Sequence, residues 1–364
     1  MDDFLPVLRQ AFRKMHGLPA SPGEIAIPPE ARERLAAWAR RHRLTGLLQA
    51  EFPGLAANLQ TMAYGQARHT ARFAHEAARL FALLAPRLPA LALVKGPALA
   101  AQAWPAPELR IFDDLDFLCA RGDFPQLVAG LAEAGYAPHR DDPRRVAHGW
   151  HYGWGIGFRH PDGFMVEVNH RFFPPHYPWP RGLDARSNAW FAPLELDGAP
   201  VRAPVPALHL LHGCLHAVWH GWERLAWLVD IAGLLARHPD SLAQAQALAI
   251  GCPFARRTLA VGAAVAEHIF GPGLAGSEGL SAADPAVAEA WAIFAGAAPA
   301  PAGGQLRKFH EHFMQPGEKA AYRLRRVFTP GDGDFQWLAL PPALRGLYWL
   351  LRPIRGLLRT AVRP

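Results

Sequence analysis

The sequence predicts an α+β fold in which a short β core, residues 89–200, separates an N-terminal helical region, residues 1–88, from a C-terminal helical domain, residues 201–364. Three observations predict it. Apolar residues recur at three- and four-residue spacing before residue 88 and after residue 206, the signature of amphipathic helices. Between these regions the apolar period shortens to that of strands. At the centre lies an apolar run, residues 115–119, entered through Asp114 and carrying Asp116.

Helical periodicity covers residues 31–50 and 55–88, punctuated by Pro28-Pro29 and Pro53-Gly54. Residues 91–94 form a short apolar strand ending at Lys95-Gly96-Pro97, and Pro97 suits the first turn of a following helix. Pro105 and Pro107 break that helix, and residues 115–119 form the next strand. Asp123 is placed as N-cap of a helix over residues 124–134, closed by Gly135. From residue 146 to 173 the pattern reads as β, with strands over 150–158 and 164–170 joined by a turn at residues 159–163. The prolines of residues 174–180 end this region. Helices follow over residues 207–219, 223–237, 241–250, 254–270 and 286–294, then a Gly/Ala/Pro linker over 296–304 and an apolar, arginine-bearing tail over 344–359.

With 364 residues, 51% of them hydrophobic, the chain can bury a large core. Its net charge is +7 and its pI about 9.7, yet no dense Lys/Arg run appears, so the sequence carries no specific nucleic-acid signal. The positive charge is almost all arginine; Lys14, Lys95, Lys308 and Lys319 are the only lysines. A lysine beside Gly96 in such a chain points to a compact ammonium needed for its own sake. Cys119, Cys214 and Cys252 lack metal-type spacing and form no even set. They fit buried thiols in a reducing cytoplasm, as does an N-terminus without a basic, apolar leader. No window reaches the length of an uninterrupted membrane span.

Side chains two apart on a strand share a face, so Asp114 and Asp116 project together while Leu115 faces away. Paired carboxylates repel and resist burial unless a cation neutralises them. Glu167, alternating with Val166 and Val168, supplies a third acid from a second strand. Such a triad suits nucleotidyl transfer, in which metal ions stabilise the attacking and leaving oxygens, and hard oxygen donors favour Mg²⁺ or Mn²⁺. Backbone N–H groups at Gly96 can receive phosphate oxygens, with Lys95 or Arg110 adding charge. His212, His216 and His220 share one helix face, where they either line a cleft or hold a metal of their own, as in a histidine-metal hydrolase. Asp230, alone on an apolar helix, is expected to pair with Arg224 or one of these histidines. The tail from Tyr348 to Arg359 reads as a basic amphipathic segment suited either to packing on the body or to peripheral membrane contact.

Taken in order, Lys95-Gly96, Arg110-x-x-x-Asp114-x-Asp116, Val166-Glu-Val-Asn-His170 and the stretch from His216 to Asp230 resemble the uncharacterised bacterial nucleotidyltransferase family of the DNA polymerase β superfamily. The similarity runs from about residue 60 toward the C-terminus and includes Arg323-Leu-Arg-Arg-Val-Phe-Thr-Pro330 and Trp349-Leu-Leu-Arg-Pro353. The resemblance implies a mixed-sheet nucleotidyltransferase core set among helices. It implies catalytic Mg²⁺ on Asp114 and Asp116, Glu167 as third carboxylate, and an NTP as substrate. The acceptor it leaves open: a sugar, a lipid-linked intermediate, a peptide or a protein. Two departures stand out. Lys95-Gly96 replaces the superfamily's usual Gly-Ser, so polymerase triphosphate contacts do not transfer to this chain. The family commonly reads Glu/Asp-x-His-Trp after the third acid, where this chain has Glu167-Val-Asn169-His170; Asn169 cannot serve as a base. That departure supports a second reading, a non-catalytic nucleotide-binding or adaptor protein.

If the acids form one site, their carboxylates are expected to converge on adjacent strands, with Lys95 or Arg110 opening onto the same cleft and the histidine face closing one wall. His170 and Asp230 are expected nearby.

Overall fold

The computed structural model describes residues 4–19, 25, 27–274 and 283–361, so the helical expectation for residues 1–3, 20–24 and 26 lies outside it. The chain opens with helices α1 (Leu5–Met15), α2 (Pro29–Arg41), α3 (Thr45–Glu51) and α4 (Ala57–Leu84). The single helix expected over residues 31–50 is two, because the chain turns at Arg43, whose φ is 59°. Tertiary contact fixes this break: His42 accepts the Leu225 N–H at its ring and the Ala226 N–H at its carbonyl.

The β core then alternates with short helices: β1 (Ala92–Leu93), α5 (Gly96–Ala103), β2 (Leu115–Leu118), α6 (Phe124–Glu133), β3 (Ala137–Pro138), α7 (Pro143–Tyr152), β4 (Gly155–Arg159) and β5 (Met165–Asn169). These strands form one mixed sheet in the order β1-β2-β5-β4-β3. Only β2 and β5 run parallel; the other neighbours are antiparallel. One sheet face, built from Leu93, Leu115, Phe117, Val166, Val168 and Phe158, packs into a core with α4 and α6. The other, through Ala92, Val94 and Leu118, joins a larger core shared by α1–α3 and the C-terminal helices. The fold is α+β.

Two expectations about this region need correction. Residues 146–152 belong to a helix, α7, which begins at Pro143 and is capped by the Asp142 carboxylate accepting the Arg144 N–H at 2.8 Å. The aromatic run that follows hid this start. The β region also does not end at Pro180: β6 (Phe191–Leu196) and β7 (Ala199–Pro204) form a two-stranded hairpin around Asp197-Gly198, both at positive φ. Pro193, Pro200 and Pro204 argue against a central strand, and in a two-stranded ribbon every strand is an edge, where proline is tolerated. Asp123 sits at the N-cap position of α6 but makes no capping bond, because a 3₁₀ turn over Arg121–Asp123 leads into the helix.

The C-terminal helices are α8 (Pro206–Trp219), α9 (Leu225–Arg237), α10 (Ser241–Leu248), α11 (Pro253–Phe270), α12 (Pro285–Phe294), α13 (Gly304–His312), α14 (Pro316–Phe328), α15 (Asp332–Trp337) and α16 (Tyr348–Ala361). The last helix runs through Pro353, and α13 to α15 fill a stretch where no helix was expected. Among the described residues, no helix is long and apolar enough to cross a membrane.

Helices α5 and α9 approach so closely that a Cβ on Gly233 would stand 2.1 Å from the Ala103 carbonyl oxygen. The Gly233→Ala variant is therefore expected to lose about 1–3 kcal/mol of stability by overpacking. Gly213→Ala, whose new Cβ would meet Ile231 at an ordinary 3.7 Å, is the matched control. Denaturant unfolding of the two variants checks this; equal midpoints would contradict it.

Candidate active site

Strands β2 and β5 pair in parallel with Asp116 directly beside Glu167, Leu115 beside Val166 and Phe117 beside Val168. Residues so paired share a face, and the alternate face is fully apolar and buried. Slipping either strand by one residue would drive its carboxylate into that apolar core, so the hydrophobic pattern fixes the acids' position. Asp114, two residues before Asp116, lies on the same side. Oxygens of all three carboxylates fall within 4.8 Å of one another. Asp116 is 2% exposed, Glu167 is partly buried, and Asp114 is open to solvent at the cleft mouth.

Lys95 closes the cluster. Its Nζ donates to Asp116 Oδ1 at 2.8 Å. The backbone turns at Gly96, which has a φ of 51° and passes so near Asp114 that a Cβ there would lie 3.3 Å from the Asp114 carbonyl oxygen. Burial pulls the Lys95 pKa down, but the charges of Asp116, Glu167 and Asp114 outweigh it and the pKa is raised. One ammonium does not neutralise three acids. The Asp116 charge, reinforced by partial desolvation where the cleft walls approach, lifts the solvent-facing Asp114 to about 6 against the pull of Lys95. Burial, then Asp116, lifts Glu167 to about 7.

Arg110 occupies a different role from the expected one. Its Nε and a terminal nitrogen donate to the two oxygens of Asp230 at 2.8 and 2.9 Å, and Trp104 Nε1 donates to the same carboxylate at 2.7 Å. The remaining guanidinium nitrogen reaches the Gly96 carbonyl at 3.4 Å. Asp230 thus pairs with Arg110 rather than with Arg224 or a histidine. Arg110 lines the cleft, but its charge is matched within the protein and its visible work is to hold the Gly96 turn. Arg224 instead lies over the Trp227 ring. Arg43, which the sequence did not single out, reaches the cleft rim from the α2–α3 turn and pairs there with Asp113. Only its left-handed backbone, invisible in sequence, marks it.

The cleft encloses about 330 Å³ between the acids and the α8 face that carries His212, His216 and His220. His216 and His220 lie with ring centroids 4.6 Å apart, both against Trp227. Burial, followed by the charge of Lys95, depresses all three histidines, His220 to about 4 and the other two well below their ordinary value. They are neutral at neutral pH. Among the described residues, the only group of three or more side chains placed to share a metal is the acid triad, and the three histidines form a wall of the cleft. A second cavity of about 180 Å³ shares Lys95, Glu167 and the three histidines, and extends to Asn169, Trp154, Trp219 and Arg171. His170 does not enter the acidic cleft. It follows β5 and lines a separate cavity beyond Arg171.

Residues 28–271 match the model of a family described as uncharacterised nucleotidyltransferase, and the chain belongs to that family. The matched span begins well before residue 60 and contains every cleft residue described above, while the 323–330 and 349–353 pieces lie beyond it. No curated protein matches the chain.

The raised Glu167 pKa has a stability consequence. In the folded protein this carboxyl holds a proton up to about pH 7, whereas the unfolded chain releases it near 4.5. Its contribution is therefore fully present below about pH 4.5 and is lost as pH rises through 7. In metal-free buffer, Glu167→Gln is expected to be more stable than the parent at pH 8 by on the order of 1–3 kcal/mol, the gap narrowing toward pH 5. Unfolding curves in chelator at both pH values check this; a gap that widened at pH 5 would reverse the electrostatic account.

Proposed function

We propose that this protein is an Mg²⁺- or Mn²⁺-dependent nucleotidyltransferase that moves a nucleoside monophosphate from an NTP to a hydroxyl of an acceptor. The observation that carries this reading is the convergence of Asp114, Asp116 and Glu167 on one sheet face within 4.8 Å. Hard oxygen donors at that spacing fit a small divalent cation, and Lys95 already demonstrates that the cluster draws a cation to Asp116. Asp114 and Asp116 would hold the ion, with Glu167 as third ligand. When bound, the ion supplies Lewis-acid stabilisation of charge on the phosphoryl oxygens.

The remaining work belongs to the chain itself. Lys95 balances triphosphate charge, and the first turn of α5, beginning at Gly96, carries N–H groups that the helix cannot satisfy internally. Glu167 borders both the acidic cleft and the adjoining cavity, a position that suits it to meet an acceptor arriving through that cavity. In the transfer, the acceptor oxygen forms a bond to the α-phosphorus, the bond to the β-phosphate oxygen breaks, and pyrophosphate leaves. The acceptor proton passes to the Glu167 carboxylate. The neutral histidine wall offers donors and acceptors without adding charge beside Lys95.

A second reading, a nucleotide-binding adaptor, is favoured by one feature. Asn169 stands where the family commonly carries histidine, and its buried Oδ1 has no hydrogen-bond partner. Calorimetry with ATP, CTP, GTP and UTP, with and without Mg²⁺, followed by pyrophosphate release over an acceptor pool, separates the two readings. Asp116→Asn is expected to reduce release roughly 10²–10³-fold with little change in melting temperature. Full turnover in that variant would refute the catalytic assignment, and binding without release on any acceptor would favour the adaptor.

The proposed setting is the cytoplasm, where the buried free thiols Cys119, Cys214 and Cys252 persist. Peripheral membrane contact through the tail is part of the proposal. Tyr348 and Arg355 anchor α16 inward, Arg355 to Asp334 at 2.7 Å, while Leu350, Ile354 and Leu357 stay exposed, Leu357 by 71%. Leu324 and Phe328 on α14 are exposed as well. Co-sedimentation with phosphatidylglycerol-containing vesicles is expected, and Leu350→Glu with Leu357→Glu is expected to abolish it without altering the melting temperature. Sedimentation unaffected by the pair would place the membrane contact elsewhere.

A further inference from the structure

Beyond the acidic cleft lies a cavity of opposite charge. It encloses about 440 Å³ and is lined by five arginines, Arg121, Arg171, Arg181, Arg186 and Arg325, against one acid, Asp184. That acid already accepts the Arg186 backbone N–H at 2.8 Å. Among the described residues, no carboxylate pairs with any of the five guanidinium groups. Among the described residues, Arg121 is the one of the five whose guanidinium is hydrogen-bonded, to the His151 carbonyl and ring. All five are exposed to solvent, and together, with a single acid beside them, they make this concavity a basic surface whose field attracts anions.

His170 provides an independent sign. It is 6% exposed, borders this cavity, and both of its ring nitrogens are buried without a hydrogen-bond partner. An imidazole with neither nitrogen satisfied is uncommon in a folded protein, and this one forms part of the cavity wall. Burial, then Arg171 and Arg121, holds the ring far below its ordinary pKa, so it is neutral and adds no further positive charge to the wall. Partial desolvation and the charge of Arg121 likewise lower the pKa of Arg171, whose side chain remains open to solvent.

The position of the cavity gives it a role. It shares no lining residue with the acidic cleft, yet the intermediate 180 Å³ cavity touches both, through Glu167 on one side and Arg171 and Phe172 on the other. Glu167 and His170 lie three residues apart on extended chain and project to opposite sides, so the route between the two sites runs through the intermediate cavity and Arg171. We propose that the arginine cavity binds a phosphoryl group on the acceptor, so that the acceptor is a phosphorylated hydroxyl compound. This rests on the reading of the acid triad as the transfer centre. The acceptor hydroxyl reaches Glu167 while its phosphate is gripped at the far end of the intermediate cavity. Guanidinium forks match a tetrahedral dianion from several sides at once, whereas a carboxylate engages one fork.

The chemistry is common to a soluble phosphomonoester and a lipid phosphate, and the experiment distinguishes them. Calorimetry at fixed ionic strength is run with inorganic phosphate, glycerol 3-phosphate and dihexanoyl phosphatidic acid below its micelle concentration. At least one phosphomonoester is expected to bind, with affinity reduced ten-fold or more in Arg171→Gln/Arg186→Gln, two exposed side chains whose loss spares the core. Tighter binding of phosphatidic acid than of glycerol 3-phosphate assigns a lipid source, and equal or weaker binding assigns a soluble one. Asp116→Asn is expected to leave phosphate binding intact, so failure of the catalytic reading and failure of this one are separable. The proposal is overturned if no probe binds, if the double variant binds as well as the parent, or if the double variant loses ATP affinity in parallel, which would make the cavity a nucleotide subsite.

Discussion

The parallel pairing of two short strands is the constraint from which the rest of this site follows. Leu115, Phe117, Val166 and Val168 fill one face of β2 and β5 completely, and that apolar face admits a single register. The same register sets Asp116 beside Glu167 on the opposite face and brings Asp114 up from the preceding residue. Two hydrophobic cores clamp the sheet, one against α4 and α6 and the other against the C-terminal helices. The acids are therefore held by packing rather than by their own interactions, which at this spacing are repulsive.

Cations around the acids divide into two kinds. Lys95 meets the cluster directly and carries an unbalanced neighbourhood, with its ammonium at the cleft itself. Arg110 belongs to the scaffold, locked by both oxygens of Asp230 and reaching the Gly96 carbonyl. A bidentate guanidinium pair, buried with Trp104 as a further donor, is rigid in a way that a lysine pair is not. The Gly96 turn, and with it the start of α5, is thereby tied to α9. The close packing of Gly233 on Ala103 completes the same junction.

Polarity then changes along the groove. The acidic cleft is self-repulsive and draws cations; the arginine cavity beyond it is self-repulsive in the opposite sense and draws anions. Between them stand neutral histidines and the aromatic rings of Trp154 and Trp219. A molecule with a hydroxyl at one end and a phosphate at the other satisfies both ends, which a neutral acceptor would not.

The sequence by itself determined the α+β class, most of the helices after residue 206 and the acid triad. These signals are local: alternation in residues 115–119 and 164–170 dictates which side each carboxylate takes, and a chain poor in lysine isolates Lys95. What it could not determine came from contacts between distant segments. Pairing of Asp230 with Arg110, 120 residues earlier, overrode the nearer Arg224. The break at Arg43 depends on His42 docking against the start of α9. The β6–β7 hairpin defied its prolines because both of its strands are edges, and α7 was masked by an aromatic run that reads equally as strand. The arginine cavity gathers residues from 121 to 325, and His170 was displaced from the acidic cleft to its wall. Short-range periodicity fixes where a side chain points along its own element. Only the packing of elements far apart in the chain decides which charges meet.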